Sequence, residues 1–483
     1  MYKIFDQFFL LTVAILTIQS CTLKSVTPSI ITQEIPTPAV PTSDIQIPVE
    51  IDLQPLLTYA NANTDWVIRN PEFPGFASFG GCDGPRANYD VNRDFLTGSI
   101  LGNNFQIGTT AAYGIAGDYC TECVWETCIH PRLPFSCGTN GEAKRRVKIG
   151  FSTSLELTPE YGLKTQTTLS EISPLDPCEL TFLKMNMTSE VMNAMRPSLE
   201  EGARYIDEQA KLTSFKSMAD DAWKQMWTPM EIEGYGYLSL NPSDISVSAL
   251  SGSGLNLKFN IGIQANPIFS VSKEKERAIP NLPPLKTNNT SQAGFTFHLP
   301  IVSSYEEITT KLATYFNQKE FLSEDKKQGI YIHNIQLSGK GNSTLVLEMN
   351  CNLKFGIKKF KNAKLIFTMK PQFNAETQTL ELSEVSLQTD KKHVLLNAGT
   401  ELFQKMICEK IKEAGKTDFK PLINENKQAL NQQLNQKINE QTTLQGEVQE
   451  IKITGLFPTS DTLIIHTQAT GKLNVKMSNY SFN

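Results

Sequence analysis

Two phrases recur in this chain, in the same order and far apart. Ile45-Gln46-Ile47-Pro48-Val49 opens an apolar-alternating strand that leads into Leu53, Leu56, Leu57, Tyr59 and Asn61. About 250 residues on, Phe297-His298-Leu299-Pro300-Ile301 opens another, followed by Ile308, Leu312, Tyr315, Phe316 and Asn317. Pro159 and Thr165-Gln166-Thr167, with Leu169-Ser170-Glu171-Ile172-Ser173, answer Pro371 and Thr377-Gln378-Thr379, with Leu382-Ser383-Glu384-Val385-Ser386. Matching phrases at such spacing point to two copies of one domain, and a chain of 483 residues has room for a sizeable core in each. Neither phrase carries a catalytic group; what repeats is architecture.

Each copy reads as strand, short helix, several strands, long helix and final strands. The long helices are expected over Met187–Leu212 and Val394–Ala414, and Ser304 with Glu307 forms a capping box at the start of a short one. Leu255, Leu257, Phe259, Ile261 and Ile263 alternate with polar residues, as do Leu345, Leu347, Met349, Cys351, Leu353 and Phe355. Period-2 alternation means antiparallel sheet with one dry face, and amphipathic helices against that face give an α+β layout. The expected fold is two tandem copies of a curved antiparallel sheet wrapped around a long helix. The first copy spans 45–272 and the second 294–483, joined by a linker over 273–293 that contains Pro280, Pro283 and Pro284.

The chain opens on a targeting segment. Lys3 and the apolar run Phe8 to Ile18 form a signal peptide over 1–20, and Ile18-Gln19-Ser20-Cys21 resembles a bacterial lipobox whose cysteine is acylated. Acyl chains on Cys21 would anchor the protein, and the stretch 21–44, with Pro28, Pro36, Pro38 and Pro41, would serve as an extended tether. Thr22-Leu23-Lys24-Ser25 contains no acidic residue, which points to an outer-membrane lipoprotein facing the periplasm. A net charge of -5 argues against nucleic acid as a partner.

The first copy is longer between its short helix and its second phrase, and that interval holds Cys82, Cys120, Cys123, Cys128 and Cys137. We read a cysteine-rich insert at about 78–140. In an oxidising compartment, Cys82, Cys120, Cys123, Cys128, Cys137 and Cys178 are candidates for disulfides rather than for a zinc site or a redox Cys-x-x-Cys. Connectivity is open at this level. No Gly-x-Ser-x-Gly elbow or His-Glu-x-x-His helix occurs, so no enzyme, metal or cofactor is expected. A basic run, Lys354, Lys358, Lys359, Lys361 and Lys364, reads either as a membrane-surface contact or as a solvated strand guarded by lysines, with the second favoured.

The opening strand and short helix, the Leu-Ser-Gly hairpin at Leu337-Ser338-Gly339 and the pattern Leu444-Gln445-Gly446-Glu447-Val448 together resemble the bacterial lipoprotein family called domain of unknown function 4403. That family is similar in architecture to the tubular lipid-binding superfamily typified by bactericidal/permeability-increasing protein. The resemblance implies a phospholipid or other acyl-bearing ligand held in apolar grooves. Candidate lining residues are Leu255, Leu257, Phe259, Ile261 and Ile263 in the first copy and Leu345, Leu347, Met349, Leu353 and Phe355 in the second. The alternative is an envelope scaffold or adhesin whose disulfide-stapled insert binds a protein or a glycan.

Overall fold

The computed structural model describes residues 37–70, 72–78, 81–82, 84–179, 186–232, 236–270, 277–288, 293–322, 327–389, 400–437, 440 and 442–477. Cys21, the expected signal peptide over 1–20 and most of the expected tether over 21–44 lie outside them. The first half contains β1 (Ser43–Asp52), α1 (Gln54–Asn63), β2 (Arg86–Arg93), β3 (Asn104–Tyr119), β4 (Arg145–Leu157), β5 (Leu163–Pro174), α2 (Thr188–Lys211), α3 (Lys216–Trp227), β6 (Pro242–Val247) and β7 (Asn256–Ala265). The second contains β8 (Gly294–Ser304), α4 (Tyr305–Phe316), β9 (Gln328–Gly339), β10 (Leu345–Phe355), β11 (Lys358–Asn374), β12 (Thr379–Thr389), α5 (Thr400–Gly415), α6 (Lys420–Gln433), β13 (Thr442–Pro458) and β14 (Thr462–Met477). Shorter strands connect them.

This is not the α+β fold expected from the sequence. Strand accounts for 55% and helix for 21%, so the protein is mostly β, and it is not a sheet wrapped around a long helix in tandem. The reason lies in pairing. Strands from both halves join one mixed sheet of 20 strands, beside a 6-stranded antiparallel sheet built on β9 to β12 and a 2-stranded ribbon. β1 pairs antiparallel with β7 along its whole length, while its other edge meets β8 at Asp44–Gln46 and β14 at Val49–Ile51. A strand shared in this way ties the halves into one layer, and the helices lie against sheet faces.

Two cores result. α2 presents Val191, Met192, Met195 and Leu199, at helical spacing, to Ala111, Tyr113, Val147 and Ile149. In the second, Ile407, Cys408 and Ile411 of α5 and Ile308, Leu312 and Phe316 of α4 pack with Leu365 and Phe367, both fully buried. The capping box on α4 is formed: the Glu307 amide donates to Ser304 Oγ (3.2 Å) and the Ser304 amide to Glu307 Oε2 (3.0 Å).

Segment 78–140 is largely sheet. β2, strand Thr97–Leu101 and β3 all belong to the large sheet, and β3 pairs with β4 from Asn104 to Tyr113. What the second half lacks is a long connection such as 120–144 between β3 and β4; β10 and β11 are joined by Gly356-Ile357 alone. The proline-containing span is docked as well. Tyr161 Oη donates to Pro283 O (2.8 Å), Trp223 Nε1 to Pro280 O (2.8 Å), and Lys286–Thr287 pairs parallel with Ser246–Val247.

Candidate functional site

β1 lies inside a sheet yet contains Pro48, which has no N–H to give. Register explains how. β8 partners Asp44–Gln46 and β14 partners Val49–Ile51, so Ile47 and Pro48 fall in the gap where the partner on that edge changes. Where β8 leaves β1, fully buried Ser43 takes over: the His298 amide donates to its Oγ (2.8 Å), and that hydroxyl donates to His298 O (3.3 Å). Thr467 Oγ1 donates to Leu299 O (2.8 Å). Ser43 thereby satisfies the two His298 backbone groups that the divided pairing would leave open, whereas Leu299 faces the other edge, where β8 is paired with β14.

The strands meeting here carry apolar rows in register. Ile45 stands between Ile263 and Phe295, Ile47 opposite Ile261, Val49 between Phe259 and Val475, and Ile51 between Leu257 and Met477. β6 extends the face, with Ile245 opposite Ile263 and Val247 opposite Ile261. Cross-strand partners share a face. Val49, Ile245 and Val247 are buried, whereas Ile45, Ile47, Ile51, Leu257, Phe259, Ile261, Ile263 and Phe295 are only half-buried. A cleft of about 570 Å³ opens on the opposite face of the same strands, where Glu50, Lys258, Asn260 and Asn474 alternate with the apolar rows. Lys258 Nζ lies 3.6 Å from Glu50 Oε1. Burial lowers the pKa values of both His298 and His466, favouring their neutral forms.

The ten candidate lining residues therefore divide. Leu255, Leu257, Phe259, Ile261 and Ile263 lie half-buried in and beside the central sheet. Leu345, Met349 and Leu353 are buried in the second core, with Leu347 and Phe355 packed against it. Sequence reasoning missed Ile45, Ile47, Val49 and Ile51 as members of the first group. Their alternation was visible, but their partners lie more than 200 residues away.

Six cysteines of the first half pair as Cys82–Cys123, Cys120–Cys128 and Cys137–Cys178. Cys120 and Cys123 each take a partner other than the other, so neither a dithiol nor a thiolate set for zinc exists there. Arg132 adds a second clip between the connecting segments, donating to Gly84 O (2.8 Å), Cys82 O (3.2 Å) and the Asp118 carboxylate. The Arg86 hydrogen bond, then Arg132, hold the Asp118 carboxyl below the usual range although burial opposes them. Among the described residues, no helix is long and apolar enough to cross a membrane.

Fold and face together define a mostly-β protein with a half-open apolar face at the strand its two halves share. The chain belongs to the family described as "Domain of unknown function (DUF4403)", whose model matches residues 41–477. No curated protein matches it. Similar solved structures include lipopolysaccharide binding protein (9% identity, covering 91% of this chain and 100% of that one, TM-score 0.20). P47 from Clostridium botulinum A2 is 9% identical, with 88% and 96% covered and a TM-score of 0.22, and P47 of Clostridium botulinum E1 is 8% identical, with 88% and 98% covered and a TM-score of 0.20. Scores this low carry no argument about fold or ligand.

Proposed function

We propose that this protein binds a phospholipid or another acyl-bearing molecule on the apolar face of the central sheet, without covalent chemistry. A lipid on Cys21 would hold it to the periplasm-facing side of the outer membrane. The observation that carries the binding role is the set of rows Ile45–Ile263–Phe295, Val49–Phe259–Val475 and Ile51–Leu257–Met477, in register but only partly covered. Apolar surface left in contact with water forgoes roughly 25 cal/mol per Å², and an alkyl chain laid along these rows recovers that energy without needing a hydrogen-bond partner.

The chain expressed from Thr22, which retains every described element, would be purified and its organic extract analysed by mass spectrometry. Stoichiometric lipid is expected. Repeated recovery of empty protein that also refuses a fluorescent fatty acid would remove the reading. The anchor is tested separately, by the mass of the mature N-terminal peptide and by release of a Cys21→Ser variant from membranes.

A further inference from the structure

A long hairpin of the second half ends in the two-residue turn Gly356-Ile357, between β10 and β11. Gly356 has φ +58, the left-handed conformation that tight hairpin turns require at their first central position. The position after it has no packing role, yet it holds an isoleucine that is 99% exposed. Lysines surround it. Lys358, Lys359 and Lys361 are exposed and Lys354 half-buried, and the register sets Lys354 directly opposite Lys359.

No acidic residue occurs from Asn350 to Lys364, and Lys364 is the member of the run that is paired, with Glu348 at 2.7 Å. Like charges directly opposite each other on a hairpin cost stability. Lysines that merely guard a strand edge require neither that juxtaposition nor an isoleucine at the apex. The tip is also firmly held. The Phe355 and Phe360 rings meet edge to face at 5.9 Å, the Gly356 amide donates to Lys327 O (2.7 Å), and the Asn362 amide donates to Asn352 Oδ1 (3.0 Å). In the first half, the connection between β3 and β4 carries Trp125, 95% exposed, at the corresponding place in the element order.

We propose that this hairpin tip docks on the surface of an anionic phospholipid bilayer, with Ile357 entering the interface and the lysines facing the head-group phosphates. Charge complementarity selects the occupant: a local cluster of lysines on a chain of net charge -5 has an anionic surface as its counterpart. The apolar apex adds what charge alone does not supply, a side chain that leaves water when it reaches the acyl boundary. The contact does not depend on the apolar face of the central sheet or on Cys21.

The test uses the chain from Thr22, sedimented with phosphatidylcholine vesicles containing about 30 mol% phosphatidylglycerol or none. Binding is expected to the anionic vesicles and to weaken with salt. Lys358→Gln/Lys359→Gln/Lys361→Gln should reduce partitioning about 100-fold, Ile357→Asp at least tenfold, and Ile357→Trp should raise it. Near-ultraviolet circular dichroism of the aspartate and glutamine variants should not change, because these side chains point away from the core. Fluorescent fatty-acid uptake should be the same in all variants, which separates failure of the tip from failure of the central face. Absence of vesicle binding, equal binding to neutral vesicles, or wild-type partitioning in both the Ile357→Asp and lysine variants would overturn the proposal. Binding of an acidic protein in place of vesicles would do the same.

Discussion

The Gln378 side chain pairs with the backbone of Ile453 at both ends: its Nε2 donates to Ile453 O (3.0 Å) and the Ile453 amide donates to its Oε1 (2.8 Å). Gln378 sits in the turn between β11 and β12 at φ +56 and is only 7% exposed, so a side-chain amide replaces a missing strand partner for β13. Gln378→Met would keep the volume and strand two buried backbone groups. A loss of about 2–4 kcal/mol in urea unfolding is expected, with little change in slope. A variant as stable as wild type would show that water reaches Ile453.

That turn also marks where sequence comparison and structure part. Thr377-Gln378-Thr379 lies at the turn, whereas its sequence match Thr165-Gln166-Thr167 lies inside β5. The first-half residue that does the turn's work is Tyr161: its φ is +65 and its carbonyl accepts the Phe215 amide, as Gln378 O accepts the Phe419 amide. Local pattern was legible: Leu345–Phe355 forms the strand its alternation predicts, and the Ser304–Glu307 box caps a helix. Long-range pairing was not. The rows on β1 depend on partners in β7, β8 and β14, and nothing in Ile45-Gln46-Ile47-Pro48-Val49 specifies that two strands will share one of its edges. That sharing is what joins the two halves in one sheet.

The first-half phrase has a different task. Thr165 Oγ1 and Thr167 Oγ1 each donate to Asp207 Oδ1 at 2.7 Å, and the Thr167 amide donates to Oδ2 at 3.0 Å, which fastens α2 to β5. Burial pushes the Asp207 carboxyl up, but the Thr167 amide and the two hydroxyls outweigh it and leave the pKa below the ordinary value. A depressed folded-state pKa gives stability that is present above the unfolded value and lost as pH falls through the folded one. Stability should therefore fall on acidification below about pH 4, and Asp207→Asn should make that fall shallower. Denaturant melts at pH 3 and pH 6 measure it; equal slopes in the two proteins would count against the assignment.

Among the disulfides, Cys137–Cys178 joins two residues that are 0% and 1% exposed in the first core, across a separation of 41 residues. Cross-linking a loop of that length is worth about 4 kcal/mol by chain entropy, and its loss would also leave two thiols in packed surroundings. Cys137→Ala/Cys178→Ala should unfold at clearly lower denaturant. Cys82→Ser/Cys123→Ser removes a cross-link of the same 41-residue separation, but its half-buried thiols lie outside the core and Arg132 also holds the ends, so it should cost less. Equal losses would place the stabilising role in the connection rather than in the core.

The sharpest contrast lies between two candidate lining residues that alternation alone made equivalent. Met349 is 3% exposed in the second core among Leu365, Phe367 and Ile407, so Met349→Ala should cost about 2–5 kcal/mol and leave any bound lipid unchanged. Ile261 is half-buried on the central face, opposite Ile47 and Val247. Ile261→Asp puts a charge where an acyl chain would lie, and a carboxylate facing water there has no large burial cost to meet. Unfolding should change by less than about 2 kcal/mol while extractable lipid or fatty-acid uptake drops at least tenfold. Unfolding melts beside lipid mass spectrometry on the two variants separate the outcomes. If Met349→Ala empties the protein and Ile261→Asp does not, the ligand belongs in the second half and the central face is only structural.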